Sequence, residues 1–219
     1  MKTYWIAGIL ALGFGLAVGA PSVAAHDASS AAHSEAAATV PAPKLQAALR
    51  ELWHGHIVTT RDYGLAVHAD DNAAADKAAE AVVANAQQIA DAVAGFYGED
   101  AGKGLMQLLA GHWQGVHDLT LAAKAGDKTA ADKAVTALSN NAGAIAKFLA
   151  GANPNWPEDG LRGALVMHSV DHKTQLELMM ANAPQAEQDA AWGRMQEHMD
   201  MIADTLAAGI AKQFPDKAQ

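Results

Sequence analysis

Apolar residues recur along this chain at intervals of three and four, and nowhere in the alternation that marks a half-buried strand. The pattern predicts six amphipathic helices, over residues 44–69, 73–96, 100–125, 129–150, 158–181 and 185–212. The segments between them hold residues that end helices: Asp70-Asp71-Asn72, Tyr97-Gly98-Glu99-Asp100, Gly126-Asp127, the stretch GANPNWPEDG at 151–160, and Asn182-Ala183-Pro184. The expected fold class is all-α.

The pattern repeats. A shift of 56 residues lays 48–95 over 104–151 without a gap. Leu49, Gly55, His56, Asp71, Asn85 and Ile89 then meet Leu105, Gly111, His112, Asp127, Asn141 and Ile145. A second shift of the same length brings His112 onto His168. With one residue inserted after the third loop, His198 falls at the position of Asn85 and Asn141. The chain therefore reads as a helical bundle of three tandem hairpins, with repeats at 44–98, 99–153 and 154–213 inside one domain, 44–215.

Each hairpin carries one histidine about 15 residues before its loop and an Asn or His about 15 after it, which at 1.5 Å per residue puts the two at one height. These side chains also share stripes with apolar residues. His56 lies with Leu49, Leu52 and Tyr63, His112 with Leu105, Leu108 and Val116, and His168 with Leu161, Leu165 and Met179. If the hairpins pack around one axis, His56, Asn85, His112, Asn141, His168 and His198 form a polar layer in an apolar bundle.

Buried imidazoles and amides need partners, since each one left unsatisfied costs roughly 1–3 kcal/mol. In one reading His56, His112, His168 and His198 bind a transition metal while Asn85 and Asn141 orient the rings. In the other, the six hydrogen-bond one another or a buried water and fix the register of the helices. His172, one turn beyond His168, either enlarges the metal site or bonds to Thr60. His54, His68 and His117 fall off the apolar stripe and are expected to be solvated. An all-imidazole site suits copper, zinc or nickel, and the lack of inward Glu-x-x-His pairs argues against a ferritin-like di-iron centre. Six of the methionines fall between Met167 and Met201, which leans toward copper through thioether ligation, although methionines at helical spacing are also ordinary core filler.

Composition narrows the setting. The chain has no cysteine, which removes disulfides, thiolate metal sites and cysteine catalysis. Its first 25 residues, with Lys2, an apolar run from Trp5 to Val18 and the small residues Val23-Ala24-Ala25, read as a secretory signal. Residues 26–43 read as a flexible tether, and His26 would head the processed chain. A periplasmic or secreted location is expected, with no membrane insertion once the leader is removed. The net charge of −9 disfavours nucleic acid as a partner. A metal ion, and in the second reading an envelope protein, are the expected partners. The chain has no G-x-S-x-G, no paired inward carboxylates and no glycine-rich phosphate loop. The expectation is binding of a metal for storage, transfer or sensing, with catalysis left open only through a free coordination position on the ion; the alternative is an interaction module whose histidine layer is structural or pH-responsive.

The stretches LWHGHIVTTRDY at 52–63, NPNWPEDGLR at 153–162 and MIADTLAAGIAKQFP at 201–215 resemble motifs of an uncharacterised family of bacterial exported helical-bundle proteins. The resemblance spans nearly all of the expected domain and implies the same fold. His56, His112 and His168 match the family's recurring histidines, and His198 falls at a less uniform position. Members sometimes carry the label glycosyltransferase, yet a six-helix chain lacks the α/β nucleotide-binding architecture which that chemistry normally uses.

Overall fold

The computed structural model describes residues 42–218. The leader expected over 1–25, the tether up to residue 41, and His26 and His33 lie outside the described residues.

Six helices follow in order: α1 Pro43–His68, α2 Asn72–Tyr97, α3 Glu99–Ala125, α4 Lys128–Ala152, α5 Glu158–Met180 and α6 Gln185–Gln213. No strand occurs among the described residues. Each boundary has a local cause. Pro43 opens α1 at a position where its missing N–H is no loss. Asp71 and Asp127 cap α2 and α4, their carboxylates accepting from the amides of Ala74 and Ala130 at 3.0 Å. The α1, α3 and α5 ends turn through left-handed residues at Asp70, Gly126 and Asn182, with φ of 57°, 68° and 52°. These three positions are 56 residues apart, so the repeat is kept in the backbone even where the residue changes. Gly, Asn and Asp are the types that tolerate this conformation.

The hairpins α1–α2, α3–α4 and α5–α6 close into a ring, because α6 packs against α1 as well as α5. The odd helices also touch one another, α1 with α3, α3 with α5 and α1 with α5. Thus α1, α3 and α5 form an inner triangle, and each even helix fills the groove between two inner ones. Alanine makes the close outer packing possible: Ala86, Ala90, Ala142, Ala146, Ala203 and Ala207 are all buried. The main apolar cluster includes Ile57, Leu105, Ile145, Leu149, Met195, Met199 and Ile202. Full burial of such side chains contributes about 1.5–3 kcal/mol each before conformational entropy is counted. The seam between first and last helices carries polar ties: the Arg50 guanidinium donates to both Asp204 oxygens, at 2.8 and 2.6 Å, and His54 Nε2 lies 2.8 Å from Asp200 Oδ1. Among the described residues no helix is long and apolar enough to cross a membrane.

Candidate metal centre

The inner triangle sets one histidine from each hairpin on the axis. The ring centroids of His56, His112 and His168 lie 5.5, 5.4 and 5.5 Å apart, a nearly equilateral triangle. His172 lies off the plane of this triangle, with its centroid 5.6 Å from His56, 5.6 Å from His112 and 4.4 Å from His168. It stands one helical turn after His168, where the other two repeats place Thr60 and Val116. All four rings are buried. One nitrogen from each can be chosen so that all four lie within 4.8 Å of one another.

These rings do not satisfy one another. His168 Nε2 lies 3.0 Å from His172 Nε2 and 3.3 Å from His56 Nε2, so it can serve both neighbours only by sharing one proton or one lone pair between them. His168 Nδ1 and both nitrogens of His112 are buried without a hydrogen-bond partner. A cavity of about 20 Å³ lies beside His56, His112 and His168, walled by Trp53, Leu109, Ala142, Ile145 and Leu165. Burial holds every ring in the neutral form. It pushes His56 down to about 3, helped by the neighbouring His112, and His112 down to about 4, where the side chain of Asn141 works the other way. Burial likewise drives His168 and His172 well below the ordinary value, and the surrounding histidines add to the effect. Neutral imidazole is the form that offers a lone pair to a metal.

A glycine sets the position of each asparagine. Asn85 Nδ2 donates to the Leu52 carbonyl at 3.0 Å and Asn141 Nδ2 to the Leu108 carbonyl at 2.9 Å. A Cβ at Gly55 would stand 2.7 Å from Asn85 Nδ2, and one at Gly111 3.0 Å from Asn141 Nδ2. The Oδ1 atoms of both asparagines stay buried and unpartnered.

His198, expected as the fourth member of the layer, does not join the other rings. The third repeat has Met167, itself 54 % exposed, where the first two have the glycines that face Asn85 and Asn141. His198 instead places Nδ1 2.7 Å from Asp171 Oδ2, near the surface. His172 takes the fourth place. Thr60, its alternative partner, donates to the carbonyls of His56 and Ile57 within its own helix. Met195 and Met199 are fully buried in the main apolar cluster and do not line the histidine cavity. His54, His68 and His117 are half-buried and bonded to Asp200, Asn182 and Asp118.

Asp171 is a residue that the sequence pattern does not single out. Its spacing gives little away, because its partner is 27 residues distant on another helix. Compared with known proteins, the chain matches no family model, and no curated protein or solved structure shows significant similarity to it.

Proposed function

We propose that the protein binds one transition-metal ion at His56, His112, His168 and His172, as a periplasmic or secreted carrier, store or sensor. The observation that carries this reading is the placing of four neutral rings as a triangle with a fourth above it. A tetrahedral ion with metal–nitrogen distances of about 2.0–2.1 Å sets imidazole centroids about 5 Å apart, and five of the six separations in the cluster are 5.4–5.6 Å. The donor set also fits on chemical grounds. A metal at the centre uses a lone pair of His112 that the protein leaves idle. The Asn141 side chain neighbours the His112 ring, and its buried Oδ1 is unengaged and able to accept from the second ring nitrogen.

Tetrahedral imidazole coordination favours zinc or cuprous copper over nickel or cupric copper, which prefer square-planar or tetragonal sites. Four protein ligands leave no open position, the arrangement of holding sites and not of catalytic ones. The family resemblance in the three motifs, and the leader read in residues 1–25, support an exported protein of this architecture.

A second reading is favoured by the His172–His168–His56 chain of close nitrogens and by a cavity just large enough for one water. In it the cluster is a buried polar network of an envelope interaction module, and it becomes a pH switch if several rings charge together.

Elemental analysis of protein isolated without chelator, followed by zinc and copper titration of the stripped form, separates the two. The metal reading expects one ion per chain, lost in His112→Asn while the helical content is kept. A folded apo-protein that takes up neither ion tightly leaves the second reading standing.

A further inference from the structure

All four rings of the centre are buried, so an ion needs a way in. The α5–α6 face holds a groove of about 310 Å³ lined by Leu161, Ala164, Leu165, His198, Met201 and Ile202, among others. Leu165 also lines the small cavity beside His56, His112 and His168. Leu165 is thus common to the walls of the outer groove and the histidine cavity.

His198 sits in this groove as an oriented ligand. With Nδ1–H donated to Asp171 Oδ2 at 2.7 Å, its lone pair lies on Nε2, and no hydrogen bond engages that nitrogen among the described residues. A carboxylate behind an imidazole is the arrangement that fixes the ring and raises its basicity toward metals. Met201, three residues on and so on the same helical face, is 60 % exposed and lines the same groove.

Resting on the metal reading above, we propose that the α5–α6 groove is the route by which the ion reaches the centre, with His198 as its capture ligand and Leu165 as the gate. The ion is a borderline or soft first-row cation, bound first by imidazole at the groove and then passed inward past Leu165. The loss of His198 from the central layer thus gives it a position on the way to that layer.

The test uses the full chain, stripped of metal, with Zn²⁺ as the probe: uptake in stopped flow, release by transfer to a chromophoric chelator, and stoichiometry at equilibrium. His198→Ala is expected to slow uptake and release together by about tenfold while one Zn²⁺ per chain is still bound, an effect in the range of removing a supporting ligand. Leu165→Ala is expected to speed both, again by about tenfold, as removal of a gating side chain does. His198 is near the surface, so its variant reports on the route even if Leu165→Ala does not fold. Wild-type rates in His198→Ala with stoichiometry intact overturn the route alone. Loss of bound Zn²⁺ in His198→Ala also overturns it, by making that residue a ligand of the centre. A wild-type chain that takes no Zn²⁺ overturns the centre and the route with it.

Discussion

His112 has two ring nitrogens, both buried and neither bonded, at a position where a leucine would pack without that cost. Retaining an imidazole there makes sense when something else completes it. The neighbouring Gly-Asn pairs show how closely such details are set. Gly55→Ala puts a methyl 2.7 Å from Asn85 Nδ2 and breaks the Asn85–Leu52 bond, leaving a buried amide unsatisfied. A loss of about 1–3 kcal/mol is expected in urea unfolding. Because both changes act on one contact, Gly55→Ala combined with Asn85→Ala should cost less than the sum of the two singles. Strict additivity would show that the glycine serves some other purpose.

Among elements, the linker between the second and third hairpins is the most constrained. Trp156 is 3 % exposed and donates Nε1–H to the Thr205 carbonyl at 3.2 Å. Its indole lies over Gly209, where a Cβ would overlap it. Asn153, fully buried, donates to the Tyr97 hydroxyl at 2.8 Å and accepts from the Asn155 amide at 2.9 Å, while the Tyr97 hydroxyl donates to Gln213 Oε1 at 3.1 Å. The stretch NPNWP at 153–157 and Gly209 of α6 are thus one packing unit that locks the bundle end. Gly209→Ala must displace an indole into a filled core, at an expected cost of about 1–3 kcal/mol. Metal stoichiometry should not change, since the unit is remote from the four rings. A Gly209→Ala protein as stable as wild type would contradict that packing.

For the whole molecule, the buried cluster ties stability to pH and to metal. Burial holds His56 at about 3 and His112 at about 4 in the folded chain, whereas the unfolded chain titrates near the ordinary value of about 6.5. Below that value the unfolded state binds protons that the folded state refuses, so stability is complete above pH 6.5 and falls as pH drops toward 4. Each such histidine contributes about 1.4 kcal/mol per pH unit in that window. Metal-free protein should therefore melt markedly lower at pH 5 than at pH 7.5; identical melting temperatures would mean that the rings are not buried and neutral. At neutral pH, Zn²⁺ at a hundred times its Kd should add about 2.7 kcal/mol. For a domain of this size that raises Tm by roughly 5–10 °C. A chelator should reverse the rise, and a His112→Asn protein should not show it.

The helices, their ends and their threefold repetition were written in the sequence because each depends on local rules: apolar spacing, capping aspartates, and Asp70, Gly126 and Asn182 at turns that need a left-handed residue. The inward histidines His56, His112 and His168 were legible for the same reason, since they lie on apolar stripes and recur every 56 residues. The sequence left open whether three hairpins close on themselves, because closure depends on α6 meeting α1 across most of the chain. It also could not choose between His172 and His198. At the register of Asn85 and Asn141 the third repeat has His198, and its ring meets Asp171 on the neighbouring helix. That choice is made by a contact between helices, which exists only once the helices are packed.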